Sequence, residues 1–329
     1  MHLLTPTSGP PPTATPIVFG AFQHNLFECV RVYAIAADRG GSLWFGTSIS
    51  PTQGVTKWDA EGQITTYTTT HGLADGETVT AIAFDPLGYA WFGVYGGGLS
   101  VFDGKETWKT FTADHGLAGN EIVTLAATED DESGSVRLWI GTNGHGASEL
   151  VYTDNPFERE NLTWTTYAKD IGLDSNVVFA INPDPDRGVV WFGAYRGGVS
   201  YYDGVVWTSV SGLDTDQIYS IALDQEEGSV WVGTEWNVSR LFDGHWRTFE
   251  DLNLTYRIWD IQVDEQGRKW FATHGNGLVV LEDSDRRVTA HSLTSNSSTT
   301  CNANVVRTIQ AHDGRMWLGT DDGIYSFRP

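Results

Sequence analysis

A chain of 329 residues is longer than one ordinary domain, so it holds either two domains or one large repetitive unit. Its 14 tryptophans, 37 glycines and 2 methionines suit short strands and tight turns, and no segment keeps a helical apolar period over several turns, which makes the class all-β. The formal net charge of −22 opposes a phosphate backbone or an anionic membrane over most of the surface, and no long apolar run occurs; nucleic acid and membrane insertion are therefore excluded.

The opening Met1-His2-Leu3-Leu4 is too short for the core of a signal peptide. The Pro/Thr-rich stretch that follows favours extended conformations and cannot pack, so residues 1–16 read as a flexible stalk. Such stalks commonly stand between a membrane or lipid anchor and an exported domain; a plain disordered start is the alternative. Residues 17–329 form one domain. Its first segment carries Phe19 and Phe22 at the spacing of an outer strand, followed by Asn25-Leu26 in a linker slot.

From there tryptophans recur at intervals of 39 to 52 residues, as Trp44, Trp91, Trp139, Trp191, Trp231, Trp270 and Trp317. Two residues after each stands glycine, with Ala272 the one exception. The second unit resolves into four short apolar strands at about 79–85, 90–94, 99–103 and 108–112. Strands one and two are joined by a turn that starts with Asp and contains Gly (Asp85 and Gly88, Asp224 and Gly228, Asp264 and Gly267). Strands three and four are joined by Asp-Gly (Asp103-Gly104, Asp203-Gly204, Asp243-Gly244), a dipeptide that tolerates positive φ. The fourth strand carries paired aromatics (Trp108/Phe111, Trp164/Tyr167, Trp246/Phe249), and Gly-Leu pairs at Gly72, Gly116, Gly172 and Gly212 lead into the next unit.

The seventh unit ends after its third strand, at about 323–327, so the 17–28 segment is expected to supply the missing outer strand. The predicted fold is a seven-bladed β-propeller with four antiparallel strands per blade, its ring closed by the N-terminal strand pairing with the C-terminal blade. Six blades and an appendage is the competing count.

The Trp-Φ-Gly-Thr core, the Asp-x-x-Gly turn and the Gly-Leu link, as in the stretches 264–273 and 313–320, resemble the two-component regulator propeller repeat over residues 17–329. The resemblance implies an extracytoplasmic sensor module of the kind carried by histidine-kinase receptors, often recognising carbohydrate. The 329 residues contain none of the β-sandwich, transmembrane helix or kinase found with such propellers.

In such a blade the loop between strands two and three and the link to the next blade share one face, and residues there that differ between repeats are free to serve a ligand. The candidate ligand-binding residues are Tyr95, His145, Tyr195, Arg196, Glu235, Trp236, Arg257 and His274, with Arg31, Glu121, Gln217 and Tyr256 entering from the links. Tyr and Trp offer flat faces for ring ligands, and arginine offers a fork for carboxylates. The same side chains have plain structural uses as blade spacers, as partners of nearby carboxylates, and as satisfiers of loop backbone.

The expected function is periplasmic, surface or secreted recognition of a small molecule, oligosaccharide or protein ligand, without chemistry and without cofactor or metal. One alternative is a polysaccharide lyase using His145 or His274 with Tyr195 and Arg196; another is a purely structural interaction module. Asp38, Asp85, Asp184, Asp224 and Asp264 occupy equivalent places in separate repeats, so they are assigned to turn hydrogen bonds rather than to an ion. Cys29 and Cys301 precede the first strands of the first and seventh units. They are paired as a disulfide in this reading, which requires an oxidising compartment.

Overall fold

The computed structural model describes residues 20–21, 29–50, 53–130, 133–169, 172–252, 254, 257–282, 288–293 and 301–329. The stalk, Phe19, Phe22, Asn25, Leu26 and Tyr256 lie outside the described residues.

Short alternating apolar runs broken by tight Asp and Gly turns bring each strand back against its sequence neighbour, so each repeat folds as a meander. The Trp139 repeat pairs Ile122–Glu129, Val136–Thr142, Ala147–Tyr152 and Thr163–Tyr167 in that order, all antiparallel. The Trp191, Trp231 and Trp270 repeats build the same four-stranded sheet. A fifth sheet holds Val306–His312, Arg315–Thr320 and Gly323–Phe327, and its fourth strand is Gly20–Ala21, with Gly20 opposite Ser326 and Ala21 opposite Tyr325.

The first two repeats depart from the expected seven separate blades. Their strands form one eight-stranded sheet, leaving five separate four-stranded sheets. The cause is local: the second strand of the Trp44 repeat runs on to the end of Leu43–Ser50, where Ser48 bridges Thr78 of the following repeat.

The Gly-Leu links mark short 3-10 turns at Thr69–His71 and Ala113–His115. Gly72 and Gly116 end them at φ of 111° and 110°, and a Cβ there would meet the Trp108 and Trp164 side chains at 2.6 and 2.9 Å. No helix among the described residues is long and apolar enough to cross a membrane.

The core lies in the wedges between adjacent repeats, where the framework tryptophans are packed at 0 to 5% exposure. The glycine two residues on lets the next repeat approach: a Cβ on Gly93 would lie 2.5 Å from Ile122 Cγ2, and one on Gly46 would lie 2.7 Å from the Val79 carbonyl. The last repeat meets the first in the same way. A Cβ on Gly319 would lie 2.9 Å from Val32, Trp58 and Trp317 pack edge-on at 5.3 Å, and Cys29 is bonded to Cys301.

Candidate functional site

Each repeat carries, at or next to the start of its first strand, a β-branched residue at 0% exposure: Val32, Val79, Ile122, Val178, Ile218, Ile258 and Val306. Immediately after it the register with strand two slips by one residue, in all seven repeats. A bulge of this kind leaves one residue unpaired and re-aims its side chain. The seven residues so placed are Tyr33, Thr80, Val123, Phe179, Tyr219, Trp259 and Arg307, and all of them line a central cavity of about 580 Å³.

This lining is lopsided. Thr80 and Val123 leave one sector small, whereas the rest form a continuous arc. Phe179 stacks on Tyr219 at 5.2 Å and 22°, and Tyr219 meets Trp259 edge-on at 5.7 Å. The Arg257 guanidinium lies over both rings, 4.3 Å from Tyr219 and 4.7 Å from Trp259. Arg307 continues the arc, 5.6 Å over Trp259 and 4.8 Å over Tyr33. Such stacks hold a guanidinium flat and leave its edge for a ligand or a carboxylate.

Acidic side chains fix the two arginines. Glu235 accepts from Arg257 Nε at 3.1 Å and Nη2 at 3.0 Å, and also from the Tyr219 hydroxyl at 2.7 Å. Burial, reinforced by that bond to Glu235, pushes the Tyr219 phenol well above its ordinary range, so it stays a donor. Asp321 accepts from Arg307 Nε and Nη2 and lies 3.6 Å from Arg31. His274 receives the Trp259 indole N–H at 3.2 Å, and burial, then the charges of Arg307 and Arg257, hold its pKa below the usual histidine value. It is neutral near pH 7, with Nδ1 as acceptor.

Four candidates from the sequence therefore converge on the arc: Tyr195, 6.3 Å from Phe179, together with Glu235, Arg257 and His274. The others stand apart. Tyr95 accepts from Asn143 at 2.8 Å, and His145 lies 3.4 Å from Glu121. Arg196 is exposed and lies over Tyr195, at 5.4 Å, while Trp236 is 58% exposed. That the strand-two loops and the inter-repeat links share one rim is visible in their mutual bonds, such as Tyr195 N to Val177 O at 2.9 Å and His274 N to Arg257 O at 2.9 Å.

Sequence reasoning missed Tyr33, Phe179, Tyr219, Trp259 and Arg307, which sit inside strands rather than loops. A signal was present. In every repeat a valine or isoleucine is followed by a residue that changes from repeat to repeat.

A close grouping of Cys29, Cys301 and Asp322 has the spacing of metal ligands, but its sulfurs are joined to each other and are not thiolates.

Antiparallel four-stranded sheets around a channel, with the variable side chains gathered at its mouth, define a β-propeller. The chain is similar to the extracellular domain of a hybrid two-component system from B. thetaiotaomicron, at 21% identity and a TM-score of 0.71 over 90% of its length. It spans 40% of that domain, and 40% of a second such domain from the same organism that it matches at 18% identity. Virginiamycin B lyase from Staphylococcus aureus is similar at 14% identity and a TM-score of 0.69, over 92% of this chain and 96% of the lyase. No family model matches the chain, and no curated protein matches it. At these identities the likeness is one of fold.

Proposed function

We propose that the protein is an extracytoplasmic recognition propeller that seats a ring-bearing ligand, a glycan or another small molecule, on the channel mouth. The carrying observation is the aromatic and guanidinium arc from Phe179 to Tyr33, which presents flat apolar faces beside donors already held in place by Glu235 and Asp321. Tyr95, His145, Arg196 and Trp236 extend the reading along the rim as outer contacts. The location is supported by the Cys29–Cys301 bond, which needs an oxidising compartment, and by similarity to extracellular domains.

In this reading the eight-stranded sheet counts as two blades held by the single Ser48–Thr78 bridge. The ring then has seven, one for each first strand at the channel, and Gly20–Ala21 is its closing strand.

A glycan-array screen, with parallel measurement of unsaturated uronate absorbance, tests the proposal. Binding without product is expected, with Trp259→Ala weakening it by about tenfold to a hundredfold, as for a central aromatic contact, and Tyr95→Ala far less. A ligand indifferent to Trp259→Ala removes the arc from the site. A lyase is the second reading, favoured by the neutral His274 at the mouth and by the lyase among similar structures; new absorbance lost on His274→Ala would establish it.

A further inference from the structure

The wedges between repeats follow a packing rule with one exception. On each third strand, the residue paired with the position before the framework tryptophan faces the preceding repeat. Where it is aromatic it packs on that repeat's tryptophan: Phe102 on Trp44 at 6.3 Å, Tyr202 on Trp139 at 6.1 Å, Phe327 on Trp270 and Trp58 on Trp317 at 5.3 Å. Where it is leucine, a second side chain fills the space. Leu150 is joined by Tyr152, 5.8 Å from the Trp91 ring, with its hydroxyl on Asp85. Leu281 is joined by Lys269, 5.2 Å over Trp231 and 2.7 Å from Asp224.

Leu241, between the Trp191 and Trp231 repeats, has no companion at either of those positions, and the Trp191 ring packs instead on Tyr201 of its own sheet, at 5.2 Å. The position matching Tyr152 is Asp243, and the one matching Lys269 is Val230. The result is a cavity of about 590 Å³, walled by Val189, Trp191, Tyr201, Val230, Leu241 and Phe242. Its rim is made of the turns at Gly228 and at Asp243-Gly244, which lie at the end of the sheets opposite the channel mouth. Arg187 on that rim is already bonded to Asp184 and to the Gly228 carbonyl.

Exposed apolar side chains also stand on the neighbouring hairpins. Of the five large apolar side chains exposed among the described residues, three lie on the flanking hairpins: Phe242 at 45%, Val205 at 83% and Val206 at 55%. The exposed charges at this end of the two repeats include Asp186, Asp203, Glu226 and Asp243, while Arg240 is bonded to Glu227. A second copy of a chain of net charge −22 would be repelled, and a lone small molecule would leave Val205 and Val206 uncovered.

We propose that this groove docks a partner polypeptide through an aromatic or branched apolar side chain flanked by lysine or arginine. It is independent of the channel mouth. Fluorescence anisotropy with a lysine-flanked, phenylalanine-centred peptide is the test, with alanine-centred and glutamate-flanked peptides as controls.

The phenylalanine peptide is expected to bind in the submillimolar range, and both controls at least about tenfold more weakly, a loss of roughly 1.4 kcal/mol. Leu241→Phe, which restores the side chain found at Phe102 and Phe327, is expected to keep the melting temperature and abolish binding. If that variant fails to fold, Val206→Asp on the exposed hairpin carries the same expectation. Equal binding of the alanine-centred peptide means charge attraction alone and overturns the proposal. So does undiminished binding to the folded variant, or binding of free indole in the groove when the peptide does not bind.

Discussion

The recurring aspartates do more than close their turns. All five accept turn amides, for example Ser42 N to Asp38 at 2.8 Å and Tyr89 N to Asp85 at 2.9 Å. In four repeats the other oxygen takes the framework indole N–H: Trp44 to Asp38, Trp91 to Asp85, Trp191 to Asp184 and Trp270 to Asp264. A buried indole donor left unpaired costs about 1–3 kcal/mol, so one carboxylate both shapes the turn and satisfies the core. Where the aspartate is engaged elsewhere the indole is served differently: Asp224 takes Lys269, and Trp231 donates to Ser229 at 2.9 Å.

Asp260, in the channel wall, joins two repeats by accepting from Ile309 N at 2.8 Å and Thr308 Oγ1 at 3.2 Å. Burial raises its pKa to about 6. Its folded value thus lies above the unfolded value of about 4, so the folded state holds the extra proton between them, and stability is lost as pH rises through that window. The stability of the wild type relative to Asp260→Asn should therefore fall between about pH 4 and pH 6 and level off above. A difference that is flat across urea titrations in this range would refute the assignment.

At the scale of elements, the bulge is what turns a wall into a site. Strict alternation along the first strand would place Tyr33, Phe179 and Trp259 by parity alone; the slip after Val32, Val178 and Ile258 frees each of them from the ladder. The loop candidates Glu235 and Arg257 were legible because they break the repeat pattern in segments where breaks stand out. The strand residues were marked only by their variation after a constant valine or isoleucine; that this position is turned out of the ladder is a property of two paired strands, which neither sequence carries alone.

The Gly20–Ala21 strand is short, yet it covers the edge of Gly323–Phe327. Deleting residues 17–28 is expected to lower the melting temperature by several degrees, since a loss of 1 kcal/mol costs about 2–4 °C in a domain of this class. An unchanged melting curve would show the pairing to be dispensable.

Across the whole molecule, the first and last repeats are held by the Val32–Gly319 approach, the Trp58–Trp317 contact and the disulfide, whose cysteines are 272 residues apart. A cross-link over so long a loop restricts the unfolded chain strongly, by roughly 2–5 kcal/mol. Cys301→Ser, or reduction of the wild type, should shift the denaturation midpoint down accordingly, with the same native fluorescence. Coincident midpoints for oxidised and reduced protein would show that noncovalent contacts alone hold the ring.

Composition and spacing were enough for the class, the repeat and its four-strand unit, because an indole, a glycine and an aspartate at set offsets mark each repeat from within its own sequence. The fusion of the first two sheets, the lopsided arc around the channel and the unfilled wedge at Leu241 came from distances between repeats. Those depend on how long one strand runs, where a ladder slips and which side chain reaches across from the adjoining sheet, and these are settled only when all the sheets pack together.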